Sequence, residues 1–365
     1  MELHDIGVAI SGGGIRAMIF HLGFFKWLAE KKLLEQVKRV SSVSGASLCV
    51  GMMYAHNDLK WPTSDEFLTT VLPSIKNALL TDLQLSALLK LVISPSYWNK
   101  RVNIIAKVLE SKWDVQGKLS QLTGNTMWYI NCTTYETGKR FRFCRENMGD
   151  YTIGYVEKPD ISLSEVMAAS AGFPMLIGPY RLKTEIYHWT PPKFSSKAWQ
   201  LPPKQTLHLW DGGVYDNFGL ESVFKPDNSG ILSEGVDFLI VNNASPPIDF
   251  QTRTRIRALK RILDISMDQV SALRSRSVMD FIKRTGKGMY INIGNSAEMI
   301  ATASGCREEL KEQLVKRCLS ADQVNKAMNY PTTLRKPCEA DCEMLLRHGY
   351  EVADCTYLCY QKQKQ

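Results

Sequence analysis

The sequence lacks the features of an exported or membrane-spanning chain. Met1 is followed by Glu2, His4 and Asp5, without the basic and apolar regions of a secretory signal. No apolar run reaches the roughly 18 residues that read as a membrane-spanning helix. We therefore expect a cytoplasmic protein that touches a membrane only peripherally, and we expect its nine cysteines to be reduced thiols.

The common nucleotide-binding signatures are also missing. The glycine-rich residues 11–14 are not followed by the Gly-Lys-Ser/Thr of a P-loop, and the next glycine, Gly23, is too distant for G-x-G-x-x-G. The excess of 45 Lys and Arg over 37 Asp and Glu gives a net charge of +8, which favours anionic partners such as a membrane surface. No stacking aromatics alternate with the basic residues of 253–287, so we expect no nucleic-acid binding.

Two strand–turn–helix units occupy the first 55 residues. Residues 6–10 and 37–43 read as buried strands, and apolar residues recur at helical spacing after each of them. Such units predict an α/β fold, with three α/β/α layers around a largely parallel central sheet.

Further elements follow from the same patterns. We expect strands at 206–211, 237–244 and 288–294, and a hairpin at 128–143 that turns at Thr137-Gly138. Helices are predicted over most of 64–123, over 162–180 with a stop near Pro174, and over about 253–284. No repeat or linker interrupts the chain. It is therefore expected to form one domain, 1–365, whose helical, basic extension 250–365 packs on the rest.

Three short segments carry residues suited to chemistry. Gly12-Gly13-Gly14 precedes a helix, where free N–H groups suit a phosphate or the oxyanion of an attacked ester, although a tight turn has the same composition. Ser47 follows the second strand as a candidate nucleophile at a sharp turn, or as a helix cap. Asp211 ends a strand before two glycines, as a catalytic carboxylate or an Asx turn, and Asp216 is its rival.

These segments together resemble the patatin-like phospholipases, whose markers are G-G-G-x-R, G-x-S-x-G and D-G-[GA]. The corresponding residues are Gly12-Gly13-Gly14-Ile15-Arg16, Gly45-Ala46-Ser47-Leu48-Cys49 and Asp211-Gly212-Gly213. The segment "AASAGFPMLIGPY" at 168–180 also looks like the family, and the resemblance covers about residues 5–245. The chain departs from the family at Cys49, in place of the last elbow glycine, and at Ala17.

The resemblance implies a serine lipid acyl hydrolase of the phospholipase A or lysophospholipase type, acting on membrane phospholipids or other acyl lipids without a cofactor or metal. It assigns Ser47 as nucleophile, Asp211 as general base, and Gly12, Gly13 and Gly14 as the oxyanion hole with Arg16 in support. Two alternatives stay open: an esterase or acyltransferase on smaller acyl esters, and a catalytically silent or regulated lipid-binding module. A regulator or a homo-oligomer is compatible with the sequence, but no residue identifies one.

The histidines occupy no catalytic motif. His208 lies an odd number of strand positions from Asp211 and is therefore expected to face the other side of the sheet. His21 falls within the first predicted helix and is expected to be packed.

The remaining candidates are two segments that could contact a membrane and a group of cysteines near the C-terminus. Residues 83–105 read as an interfacial helix or as a helix packed on the core, and the basic stretch 253–287 as a surface for lipid headgroups or a solvated helix face. Two C-x3-C pairs near the C-terminus offer zinc ligands or buried thiols; these residues are Cys338, Cys342, Cys355 and Cys359.

Overall fold

The computed structural model describes residues 3–80, 101–174, 177–192, 205–226, 230–247 and 256–360. Most of the segment 83–105, for which an interfacial helix was one interpretation, lies outside the described residues.

The strands are β1 (Ile6–Ile10), β2 (Val37–Val43), β3 (Met127–Thr134), β4 (Arg140–Phe143), β5 (Asn147–Asp150), β6 (Gly154–Glu157), β7 (Tyr180–Lys183), β8 (Thr206–Asp211), β9 (Phe224–Lys225), β10 (Ile231–Leu232), β11 (Phe238–Asn243) and β12 (Gly288–Asn292).

The α-helices are α1 (Gly14–Glu30), α2 (Gly45–Ala55), α3 (Ser64–Glu66), α4 (Leu72–Leu80), α5 (Arg101–Lys112), α6 (Leu163–Ser170), α7 (Gly213–Asp216), α8 (Ile256–Thr285), α9 (Ala297–Ser304), α10 (Glu308–Arg317), α11 (Ala321–Met328) and α12 (Glu339–Tyr360). A π-helical segment, Phe67–Val71, joins α3 to α4.

Ten strands form one sheet, and five parallel strands make its centre in the order β12-β11-β1-β2-β3. Antiparallel strands β4, β5 and β6 continue the sheet beyond β3. β2 pairs only with Met127–Asn131 of β3, and β8 pairs antiparallel with the following residues of β3, Cys132–Thr134. β7 pairs antiparallel with β8. The predicted α/β fold with a mostly parallel central sheet is confirmed, and the predicted hairpin is β3–β4.

Helices cover both faces of this sheet. Ile6, Val8 and Ile10 of β1 belong to the large core that includes α1, α2 and α12. Ala9, on the opposite face of β1, belongs to a second core that includes Val278 of α8. Because side chains alternate along a strand, this division of β1 places one helical layer on each face.

Two predicted helices are shorter than expected. The helix predicted over 162–180 ends at Ser170, and the chain then turns so that the Gly172 carbonyl accepts a hydrogen bond from the Asp211 N–H at 3.2 Å. Within 64–123, the described residues are helical mainly at 64–80 and 101–112. The first of these departures matters for function, because it ties α6 to the end of β8.

The C-terminal region packs on the first helix through α12. A Cβ atom at Gly23 of α1 would lie 1.9 Å from the Leu346 carbonyl oxygen, and one at Gly349 of α12 would lie 1.9 Å from the Phe20 carbonyl oxygen. The two backbones are therefore in direct contact. Among the described residues, no helix combines the length and the apolar character needed to cross a membrane.

Candidate active site

Ser44 is the residue at the sharp turn between β2 and α2. β2 ends at Val43 and α2 begins at Gly45, so the turn residue is Ser44 and not Ser47. Ser44 has φ 55° and ψ −122°, a strained conformation for a residue with a side chain. The residue as a whole is half-buried, unlike the fully buried serines at positions 41, 42 and 47.

Ser47 lies within α2 and is fully buried. Its hydroxyl shares hydrogen bonds of 2.9 Å with the hydroxyls of Ser42 and Ser170. The sequence-based placement of Ser47 at the turn is therefore corrected. The G-x-S-x-G pattern centred on Ser44 has Ser42 and Ala46 at its glycine positions.

Asp211 ends β8 with its carboxylate at Ser44. The Ser44 side chain is a hydrogen-bonding partner of this carboxylate, and the Gly213 N–H donates to Oδ1 at 2.8 Å. Burial raises the pKa of Asp211 from 3.8 to about 6, although both hydrogen bonds act in the opposite direction. A carboxylate with such a pKa is a stronger base than an exposed aspartate.

The glycine loop, residues 12–14, lies against the Ser44 turn. A Cβ atom at Gly12 would be 3.0 Å from Ser44 Cβ, and one at Gly45 would be 2.1 Å from the Gly14 carbonyl oxygen. The Gly12 N–H already donates to the Asn217 carbonyl at 3.1 Å, which removes it from the predicted oxyanion hole. Within the described part of the chain, the N–H groups of Gly13 and Gly14 have no acceptor.

The guanidinium of Arg16 lies beside the glycine loop and connects it to two distant parts of the chain. It donates to the Ala244 carbonyl at 3.2 Å and to the Tyr330 carbonyl at 2.7 Å. Burial lowers the pKa of Arg16 to about 10, so the side chain stays charged at neutral pH. No carboxylate within the described residues lies at ion-pair distance from Arg16, and its Nη2 lies 3.0 Å from where a Gly13 Cβ would be, so its positive charge stays beside Gly13.

The C-terminal region reaches the same loop through Thr333. The Ile15 N–H donates to the Thr333 carbonyl at 2.8 Å, and a Cβ atom at Gly14 would lie 2.6 Å from that oxygen. Sequence analysis missed this contact, because nothing local to Thr333 signals a neighbour more than three hundred positions away.

The other candidate acid–base residues, Asp216, His208 and His21, bind partners other than Ser44. Asp216 accepts from the N–H groups of Phe218 and Leu220 and pairs with Arg274, which makes it the carboxylate of a turn. His208 bonds Glu136 at 2.7 Å, and His21 bonds the Ser11 carbonyl at 2.8 Å. Burial lowers the pKa of His21 to about 4.

The four C-terminal cysteines do not form one metal site. Cys342 and Cys355 lie on the same helix, α12, separated by roughly 20 Å at 1.5 Å per residue. Cys355 instead lies 3.5 Å, sulfur to sulfur, from Cys318. The two pairs therefore do not converge on a single zinc ion, and Cys342, Cys355 and Cys359 are buried thiols, as the alternative interpretation expected, whereas Cys338 is exposed.

Comparisons with known proteins give the family and the fold. The family model for "Patatin-like phospholipase" matches residues 8–224. No curated protein matches the chain. Among solved structures, human GIVD cytosolic phospholipase A2 is similar with a TM-score of 0.52 and 15% identity, over 98% of this chain and 60% of that one. Its complex with methyl gamma-linolenyl fluorophosphonate inhibitor and terbium chloride gives 0.51 and 15%, over 99% and 59%.

The structural likeness supports the fold, and the present chain spans about 60% of the length of that human protein. The family model covers more than half of the present chain and includes the glycine loop, Ser44 and Asp211. The chain belongs to the patatin-like phospholipase family.

Proposed function

We propose that this chain is a serine lipid acyl hydrolase in which Ser44 is the nucleophile and Asp211 the general base. The observation that carries the proposal is the contact between a half-buried serine on a strained turn and a buried carboxylate whose pKa is raised to about 6. Family membership supports a phospholipase-type substrate, an acyl ester of a membrane lipid.

In the first step, the Ser44 hydroxyl oxygen attacks the ester carbonyl carbon while its proton passes to Asp211. The N–H groups of Gly13 and Gly14 donate to the oxyanion that forms, and the loss of one such donor typically costs about 2.7–4 kcal/mol. The leaving alcohol takes the proton from Asp211. An acyl ester of Ser44 remains.

In the second step, Asp211 accepts a proton from water as the water oxygen attacks the acyl carbonyl. The tetrahedral intermediate collapses, the Ser44 oxygen regains the proton, and the fatty acid leaves. Arg16 supports both steps as a positioning residue, since its buried charge lies behind Gly13 at the positive end of α1.

We further propose that α8 carries the lipid-facing surface. Ile262, Ile265 and Leu273 are exposed on one side of α8, within an arc of roughly 80° at 3.6 residues per turn. The exposed cations Arg276 and Lys283 share that side, a combination suited to anionic membranes. Met267 connects α8 to the turn that follows Asp211, because its Cε lies 3.0 Å from where a Gly213 Cβ would be.

Binding to vesicles tests this surface. Replacing Ile262 and Leu273 together by Asp is expected to weaken binding to anionic vesicles about tenfold or more, since two apolar side chains lose their burial in lipid. Met299→Asp on α9 replaces an equally exposed apolar residue and is the control. Equal losses in both variants would exclude α8 as the specific lipid contact.

A fluorophosphonate probe tests the catalytic assignment directly. The human structural neighbour has been solved with such an inhibitor. We expect the probe to form an adduct at Ser44 in the wild type and in Ser47→Ala, and no adduct in Ser44→Ala, as located by mass spectrometry. An adduct at Ser47 would reject the assignment. A folded wild type without any adduct would favour the silent lipid-binding module.

A further inference from the structure

A cavity of about 510 Å³ lies on the sheet face opposite Asp211. Cys132 pairs with both Asp211 of β8 and Phe141 of β4, so these three side chains share one face. Arg140 and Arg142 alternate with Phe141 along β4 and therefore point to the other face, where they line the cavity. The cavity is thus separate from the proposed catalytic pair.

Three cations of this cavity have no acidic partner. Within the described residues, Arg39, Arg142 and Lys225 lie near no carboxylate at ion-pair distance. Arg39 donates to the Tyr129 hydroxyl at 2.9 Å and to the Glu234 carbonyl at 3.0 Å.

Arg142 is held between two tyrosines. The centre of its guanidinium lies 5.5 Å from the ring of Tyr129 and 5.7 Å from the ring of Tyr155. Its Nε is buried and, within the described residues, has no hydrogen-bond partner. A buried cationic donor without an acceptor is costly, and an anionic ligand removes that cost.

Two of the cavity's acidic side chains already have several partners. Asp150 accepts four hydrogen bonds, from the hydroxyls of Thr134 and Thr137 and from the N–H groups of Thr152 and Ile153.

Glu221 pairs with Arg274 at 2.7 Å and with Arg140 at 3.6 Å, and it accepts from the Tyr215 hydroxyl at 3.0 Å. The third acid, Glu234, is exposed. Among the residues that line the cavity, four cations (Arg39, Arg140, Arg142 and Lys225) face three carboxylates (Asp150, Glu221 and Glu234), which leaves an excess of positive charge.

We propose that this cavity binds a phosphate ester, with Arg39, Arg142 and Lys225 on the phosphate. Arginine donors match phosphate oxygens in a bidentate manner, and the neighbouring tyrosine rings suit a ligand with a flat organic group. The volume falls within the usual range of small-molecule sites, about 300–1,000 Å³. A soluble organic phosphate and a phospholipid headgroup share this chemistry, so the test separates these two sources.

The experiment measures binding to the full chain in a Ser44→Ala background, which prevents hydrolysis of the probe. Adenosine monophosphate is titrated by calorimetry, and vesicles of phosphatidylcholine containing phosphatidic acid are tested by co-sedimentation. Arg142→Gln and Lys225→Gln are compared with Arg181→Gln and Lys183→Gln, which change exposed cations of β7 outside the cavity.

We expect one probe to bind, and we expect each cavity variant to weaken its binding about tenfold, the effect of one lost charge-assisted hydrogen bond. Lys225 is exposed, so Lys225→Gln keeps the test valid if Arg142→Gln does not fold. Binding of the nucleotide alone identifies a soluble ligand, and binding of the vesicles alone identifies a headgroup. The proposal is overturned if neither probe binds more tightly than about 1 mM, or if the β7 variants weaken binding equally.

Discussion

Ser44 combines a strained backbone with a buried acid beside its side chain. Residues in such conformations persist where the surroundings hold them, and they concentrate at functional sites. Here the surroundings are the glycine loop on one side and Asp211 on the other. This arrangement places a base beside the Ser44 hydroxyl.

The sequence predicts a serine nucleophile after β2, but it does not identify which serine occupies the turn. Serines stand at positions 41, 42, 44 and 47, and Gly45 makes Ser47 the apparent match to G-x-S-x-G. The valines of β2, however, end at Val43, which makes Ser44 the first residue after the strand. That signal was available, whereas the contact of Ser44 with Asp211 depends on pairing between distant strands.

The pKa of Asp211 predicts the acidic side of the pH profile. A general base acts only when deprotonated, so kcat/KM should be constant above about pH 6 and should fall tenfold per unit below it. The pKa of His21 is lowered to about 4, so this histidine does not change the pH dependence of kcat/KM near pH 7. Initial rates on a short-chain ester between pH 4.5 and 8 test this, and a rate that stays constant down to the lowest pH would contradict it.

At the scale of elements, the fold follows from the patterns that lie along single strands and helices. The strands β1, β2, β8, β11 and β12 and the helices α1, α2 and α8 were all predicted from apolar runs or periodicity. The short strands β5 to β7 were not predicted, because four residues give too little alternation to recognise. The helix α12 was expected only as part of a helical extension over 250–365, without bounds of its own, since its buried face mixes Gly349, His348 and Asp354 with apolar residues.

Two glycines with a similar positive φ, Gly14 in the glycine loop and Gly138 in the turn between β3 and β4, allow a direct comparison. Gly14 has φ +63° and would place a Cβ 2.6 Å from the Thr333 carbonyl oxygen, whereas Gly138 has φ +66° and open space around it. Both changes to Ala carry the strain of a positive φ, but only Gly14→Ala must displace the glycine loop or the segment at Thr333.

We therefore expect Gly14→Ala to lower kcat by about 100-fold, the loss of one oxyanion donor. Gly138→Ala should cost about 1 kcal/mol in the free energy of unfolding and leave kcat near the wild-type value. Kinetics and urea unfolding of the two variants measure this difference. Equal kcat values in both variants would show that the loop position does not matter for the reaction.

At the scale of the whole molecule, α12 joins the C-terminal region to the helix that begins at the glycine loop. Its contact with α1 is close at the backbone, and polar bonds add to it: the Trp27 indole donates to Asp354 at 3.1 Å, and the Tyr350 hydroxyl donates to Glu30 at 2.7 Å. The position of α1 therefore depends on α12.

Gly349→Ala tests that dependence. A methyl group there would meet the Phe20 carbonyl oxygen at 1.9 Å, so the helices must separate, and we expect the free energy of unfolding to fall by about 1–3 kcal/mol. Gly51→Ala is the matched control in α2, where the new methyl meets only the Met167 side chain. Urea denaturation should show the smaller loss for Gly51→Ala, and the reverse order would contradict backbone contact between α1 and α12.

The most direct measurement is fatty-acid release from phospholipid vesicles by the wild type, Ser44→Ala, Ser47→Ala and Asp211→Ala. We predict that Ser44→Ala and Asp211→Ala each lose at least about 10³-fold in rate. Ser47→Ala should keep wild-type activity and lose about 1 kcal/mol of stability with its buried hydrogen bonds. An active Ser44→Ala, or a folded but inactive Ser47→Ala, would contradict Ser44 as the nucleophile.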